Sequence, residues 1–259
     1  MLDLVFFRPV GYFIVKIIYR IPVSPNQISL LSMVCGVASA GFFSLGESDY
    51  YRIGAAVFLA ANILDCMDGQ LARLQGSGTF FGRVVDGVAD YVTGFAVFAG
   101  LGIGMQNTVN NVWFLVFAAG ISAILHGMTF DYYQGEFIRS RNGHSSLTAD
   151  DVDEYSRGKN NTDEFKTGQK FLAKIYRAYF HTQGKSALFL PAPGYVGTDE
   201  KEQRSMIRWW SFLGPTTNRS LLIIFCLIGM PIYYLYVILI PVNCWFISCL
   251  IRQSKNAAY

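Results

Sequence analysis

Four aspartates stand in otherwise apolar sequence, and their spacing is helical. Asp65 and Asp68 are three residues apart, and Asp86 and Asp90 are four apart. On helices each pair shares one face, with Cβ atoms roughly 5–6 Å from one another. An aspartate at the centre of a membrane helix costs about 2.5–3.5 kcal/mol, so four facing lipid would cost roughly 10 kcal/mol. Acids of this kind face a cavity or a bound cation instead. Four carboxylates with no His or Cys among them form a hard oxygen shell, suited to Mg²⁺, Mn²⁺ or Ca²⁺ rather than zinc. They suffice to hold two ions about 4 Å apart, the spacing that clamps a phosphoryl group in transfer. Gly69 and Gly82 leave room for a group to approach the backbone, and Ala72 is small. Arg73 offers fixed positive charge to a phosphate. Close helix packing would account for the small residues, but not for four acids.

The elements that position these residues are membrane helices. Apolar residues make up 52% of the 259-residue chain and charged residues only 15%, against roughly 25% in soluble domains. Aromatic residues reach 15%, which suits long bilayer interfaces. A net charge of +3 gives no case for nucleic acid. The five cysteines (Cys35, Cys66, Cys226, Cys244, Cys249) lie in apolar stretches without metal-ligand spacing, so reduced, buried thiols are expected. The apolar N-terminus carries Arg8, Lys16 and Arg20 through its length and does not read as a signal peptide.

Six stretches are apolar enough to cross a bilayer, which takes about 20 residues: 26–46, 51–73, 80–104, 112–137, 217–232 and 233–251. The expected fold is therefore an all-α polytopic membrane protein with six transmembrane helices. Gly229, Met230 and Pro231 carry the break between the last two. Residues 4–20 are expected to form an interfacial helix with Arg8, Lys16 and Arg20 on one side and Phe6, Phe7, Val10, Phe13, Ile14, Ile17 and Ile18 around the rest. Between the fourth and fifth spans, 21 of the 78 residues from 139 to 216 are charged, so this is read as a cytoplasmic insertion with a short amphipathic helix near 164–180. The whole chain, 1–259, reads as one domain: 26–137 holds the first four spans and the motif 65–90, and 217–251 the last two. With cytoplasmic termini, Arg52 alone of 21 Lys and Arg lies near the outer face, and the positive-inside bias selects that orientation.

The pattern D-x2-D-G-x2-A-R-x8-G-x3-D-x3-D, filled by Asp65, Asp68, Gly69, Ala72, Arg73, Gly82, Asp86 and Asp90, resembles the signature of the CDP-alcohol phosphotransferases at every fixed position. Pro25-Asn26-Gln27-Ile28-Ser29 resembles the Pro-Asn stretch that opens the family's first span. The insertion 139–216 departs from compact members. The resemblance implies two Mg²⁺ or Mn²⁺ ions on the four aspartates, Asp90 also acting as general base toward the acceptor hydroxyl, and release of CMP. It implies a cytidine-diphosphate pocket shaped by Asn26, Gly69, Ala72, Arg73 and Gly82, and a homodimer in the bilayer, with the bacterial inner membrane as the expected location and the active site on the cytoplasmic side.

Two versions of this chemistry exist. CDP-diacylglycerol donates to a water-soluble polyol or polyol phosphate, or CDP-choline or CDP-ethanolamine donates to diacylglycerol; the length of the chain favours the first. An acceptor bearing phosphate needs further cations, and Arg83, Arg139 and Arg219 are candidates, with Arg141 beside them. Each is also a residue that a cytoplasmic boundary ordinarily carries. His126 and Asp131-Tyr132-Tyr133 on the fourth span resemble a bacterial subset using inositol phosphate, although helix packing is the default role for His126. The rival from another class is a cation transporter lined by these acids. Against it, they cluster at one membrane end, where a conduction path needs polar groups through its depth. A scaffold that has lost catalysis would be free to lose carboxylates, and none is missing.

Overall fold

A computed structural model describes residues 6–77, 80–142 and 200–257. The described residues are helical throughout apart from short turns: α1 (Arg8–Ile18), α2 (Pro25–Ser44), α3 (Ser48–Leu74), α4 (Phe80–Met105), α5 (Val112–Asn142), α6 (Glu200–Trp210), α7 (Pro215–Leu227), α8 (Pro231–Val237) and α9 (Asn243–Ala257). The fold is all-α, as the apolar runs imply. The amphipathic helix expected at 164–180 lies outside the described residues.

Local signals explain the helix ends. Ser24 caps α2: its hydroxyl accepts from the Gln27 N–H, the Gln27 side chain accepts from the Ser24 N–H, and Pro25 stands at the first helical position. Gly229, at φ +79°, closes the end of α7, and Pro231 opens α8. The break expected between the last two apolar runs is therefore present. Beyond it, α8 runs into α9 through a π-turn at Ile238–Val242 that accommodates Pro241, whose missing N–H would leave an α-helical ladder incomplete.

Five helical stretches are long and apolar enough to span a membrane: Pro25–Ser44, Ser48–Leu74, Val85–Met105, Val112–Ile138 and Pro231–Lys255. The chain is an integral membrane protein. The remaining expected span, 217–232, corresponds to α7, which has 13 residues and is about 20 Å long at 1.5 Å per residue. That is short of a hydrocarbon core of about 30 Å, because Gly229 ends the helix early. Outward-facing residues such as Phe95, Phe114 and Phe117 are 60–77% exposed within the chain, as lipid-facing side chains must be.

The chain divides into two compact units: Met1–Ile124 with Pro215–Val242, and Leu125–Gly214 with Asn243–Tyr259. In the first, α2 packs on both α3 and α4, and α3 packs on α1 and α7. Helix α1 buries Phe7, Gly11 and Val15 and leaves Tyr12, Phe13 and Ile17 exposed, an outer apolar face consistent with the expected interfacial helix. In the second, α6 is pinned to α9 by indoles. Trp209 stacks on Trp245 at 4.6 Å, and Trp210 stacks on Tyr133 at 4.4 Å while its N–H donates to Gln253. Buried His126 meets Asn243 at 2.9 Å and packs against Phe246, the helix-packing role expected of it.

Helices α2 and α4 approach closely because Gly100 lacks a Cβ; one placed there would press on the backbone carbonyl of Ala40. Gly100→Ala is expected to destabilise the protein by about 1–3 kcal/mol, the usual cost of overpacking. Gly41→Ala, where the added carbon meets nothing within 4 Å, should stay within about 0.5 kcal/mol of the parent or exceed it, because alanine favours helix. Unfolding by SDS titration in mixed micelles measures both; equal effects would disprove the close approach.

Candidate metal centre

Three helices and one capped helix start supply the polar residues of the first unit. Asn62, Asp65 and Asp68 lie on α3 at intervals of three, so they form a polar stripe on an apolar helix. Asp86 and Asp90 lie on α4, Arg219 on α7, and Ser29 on the first turns of α2. One oxygen from each of Asp65, Asp68 and Asp86 lies within 4.8 Å of the other two. Asp68 is buried, and the Ser29 hydroxyl donates to its Oδ2 at 2.5 Å. That contact orients one carboxylate oxygen and leaves the other to face the group.

Arg219 closes the arrangement from the side. Its Nη1 donates to Asp65 Oδ2 at 3.0 Å and to Asn62 Oδ1 at 3.3 Å, and its Nη2 pairs with Asp90 Oδ1 at 2.6 Å. Asn62 donates its own amide N–H to the Phe58 carbonyl, which turns its oxygen toward the guanidinium. Arg219 is 22% exposed and Asp90 42%, so the ion pair faces the open side of the site.

The donor set fits a divalent cation. Three carboxylates within about 5 Å of one another repel by about 3 kcal/mol per pair at an effective dielectric of about 20, and one guanidinium offsets only part of that. Their oxygens are hard donors, and no His or Cys stands among them, which suits Mg²⁺ or Mn²⁺. Asp65, Asp68 and Asp86 would hold the ion. Asp90 stands one turn further along α4, and Arg219 bridges it to Asp65.

The other expected site residues are placed as follows. Gly69 is exposed, and a carbon added to it would meet only the Arg73 guanidinium, at 3.9 Å; Arg73 itself is exposed. Ala72 and Gly82 are half-buried. Asn26 is exposed at the second position of α2. The side chains of Arg83 and Arg139, and that of Arg141, lie outside those described. Two contributors, Ser29 and Asn62, escaped the sequence reading. Asn62 carried a signal, since it falls three residues before Asp65 on the aspartate face. Ser29 carried a weaker one, a hydroxyl one turn after the cap of an apolar helix.

Known proteins share sequence with the segment that holds these acids. The model of the CDP-alcohol phosphatidyltransferase family matches residues 22–144, the segment holding all eight motif positions. The matched segment takes in a little under half of the chain. The chain is 32% identical over 111 residues to the bifunctional IPC transferase and DIPP synthase of Rubrobacter xylanophilus, a stretch covering 43% of this chain and 23% of that one. It is 35% identical over 83 residues to the phosphatidylinositol phosphate synthase of Mycobacterium tuberculosis (32% and 37%). It is 30% identical over 131 residues to that of Mycobacteroides abscessus (49% and 54%). The chain thus spans about a quarter to a half of the length of these relatives. The crystal structure of the Mycobacterium tuberculosis synthase superposes loosely, with a TM-score of 0.40 at 20% identity over 68% of this chain and 93% of that one.

The Ser29–Asp68 hydrogen bond makes a prediction for this domain. Loss of a partner that orients a metal-binding carboxylate typically costs 10–100-fold in metal affinity. Ser29→Ala should therefore weaken Mn²⁺ binding by roughly tenfold or more, and Ser29→Thr, which keeps the hydroxyl, should restore most of it. Isothermal titration of the detergent-solubilised protein measures both. Unchanged affinity in the alanine variant would show that Ser29 does not orient Asp68.

Proposed function

We propose that this chain is a phospholipid-synthesising transferase that moves a phosphatidyl group from CDP-diacylglycerol to the hydroxyl of a polyol phosphate, inositol phosphate foremost, and releases CMP. The observation that carries the reading is the convergence of Asp65, Asp68 and Asp86 within 4.8 Å inside the complete motif, with Arg219 beside them. The similarity to mycobacterial phosphatidylinositol phosphate synthases supports the choice of inositol phosphate, and so does a guanidinium poised where an acceptor's phosphate could pair with it.

The residues divide the work. A divalent ion held by Asp65, Asp68 and Asp86, with a second on the Asp90 side, would neutralise the diphosphate and the charge that develops on transfer. Gly69 leaves its side of α3 open to the cytidine diphosphate, Arg73 adds charge there, and Ala72, Gly82 and Asn26 complete the pocket. Asp90 takes the proton of the acceptor hydroxyl as that oxygen bonds to the phosphatidyl phosphorus and the bond to CMP breaks. A carboxylate is a weak base near neutral pH, so alignment supplies most of the acceleration.

Purified protein incubated with CDP-diacylglycerol, Mn²⁺ or Mg²⁺ and a panel of polyols and polyol phosphates should yield phosphatidylinositol phosphate, identified by mass. A product only with diacylglycerol and CDP-choline or CDP-ethanolamine would overturn the donor assignment. Ion flux through proteoliposomes without CMP release would favour a transporter. Asp90→Asn is expected to lower turnover by roughly 10²-fold or more while Mn²⁺ still binds, because the three-oxygen group does not include it. Turnover above a tenth of the parent's would assign the base elsewhere.

The proposed orientation has both termini and the insertion 139–216 in the cytoplasm. Single cysteines at Ser156 and Asn107, introduced into a cysteine-free background, should react with an impermeant maleimide from opposite sides of sealed vesicles. Labelling of both from one side would reject it.

A further inference from the structure

Arg219 is tied to the two residues that the proposed chemistry most needs free. Asp65 is one of the three carboxylates suited to the ion, and Asp90 is the proposed base, yet one guanidinium holds an oxygen of each, at 3.0 and 2.6 Å. The pair with Arg219 occupies part of the acceptor capacity of Asp90 Oδ1 and holds the carboxylate in one orientation, which limits how it can turn toward an incoming hydroxyl. A divalent cation on Asp65 would also sit next to a guanidinium of like charge, in a partly buried site where screening by water is weak. Four carboxylates and one arginine carry a formal charge of −3 when all are ionised. The arginine is therefore the local counter-cation that a metal must meet.

We propose that Arg219 is an exchangeable internal cation: it and the divalent metal compete for Asp65 and Asp90, and metal loading displaces the guanidinium toward the open side of the site. The inference rests on the metal-dependent reading above and adds an order to it. Metal arrives first, Asp90 is released for its work as base, and the freed guanidinium becomes available to the anionic group of the acceptor. Asn62 holds the same Nη1 at 3.3 Å, so displacement gives up one charge-assisted hydrogen bond as well as two ion pairs, and the metal's own bonds to Asp65 and Asp90 must outweigh them. A fixed structural arginine would need no such balance.

The competition has a sign that an ordinary active-site arginine would not produce. In Arg219→Gln the competing charge is gone, so Mn²⁺ should bind more tightly, on the order of tenfold, while turnover with a polyol phosphate falls. Free Mn²⁺ measured by electron paramagnetic resonance, with protein alone, reads the first effect. Equal or weaker Mn²⁺ binding in Arg219→Gln overturns the exchange, whereas a parent protein that binds no Mn²⁺ overturns the metal reading itself. A second measurement needs no variant. The parent protein is treated with phenylglyoxal, and modification of Arg219 is followed by mass spectrometry of its peptide with and without Mg²⁺. Displacement predicts several-fold faster modification with Mg²⁺, and an unchanged or slower rate overturns the exchange.

Discussion

Repulsion among carboxylates within a membrane protein is the constraint on which the rest of this structure depends. Left alone, Asp65, Asp68 and Asp86 would drive α3 and α4 apart or draw water between them. The helices stay paired because apolar and small-residue packing holds α2 against both, from Phe43 and Ala55 to Val97 and Leu101, while the acids occupy one end of the hairpin. Stability and function are thus segregated along the same two helices. One end of the pair is packed and apolar, and the other carries the acids, whose charge a cation can balance.

That division explains several features that otherwise look unrelated. Gly100 allows α4 to lie on the α2 backbone, which fixes the direction in which Asp86 and Asp90 leave the helix. The Ser24 cap and Pro25 set where α2 begins, and so deliver Ser29 to Asp68 one turn later. Helix α1 rests on α3 beside the motif, with Met67, Cys66 and Gln70 around Gly11 and the Gln70 amide donating to the Arg8 carbonyl. Each of these contacts positions a helix and not a ligand, yet without them the carboxylate oxygens would not meet.

Much of this was legible in the sequence because it follows from period and cost. Asp65 and Asp68, and Asp86 and Asp90, announce shared helix faces by their spacing, and the expense of acids in apolar helices announces a cation. The first four spans fell within a few residues of the observed helices. What the sequence could not show depends on contacts between distant segments. The spacing that puts Asn62 on the aspartate face, and the hydroxyl of Ser29 near a helix start, do not say that one meets an arginine and the other an aspartate. The break at Gly229 was legible, but not where the helix before it stops: apolar residues run up to the glycine, while α7 ends at Leu227. The bridge that Arg219 makes between Asp65 and Asp90 was not legible either: spacing puts Asp86 and Asp90 on one face, but only the position of α7 decides which acids meet a guanidinium.

Arg219 shows how far a local motif determines a site. The family match ends at residue 144, and every residue of the signature precedes that point. The cation that pairs with two of the signature's aspartates arrives from α7, beyond the matched segment but within the same compact unit. A domain that holds the carboxylates therefore does not by itself set their charge balance. Divergence in the later helices could alter metal demand and acceptor preference while leaving the signature intact, since moving or removing one guanidinium changes the field at Asp65 and Asp90 without touching either. The eight fixed positions therefore leave the charge balance of the site partly open, and the residue opposite Asp90 helps to close it.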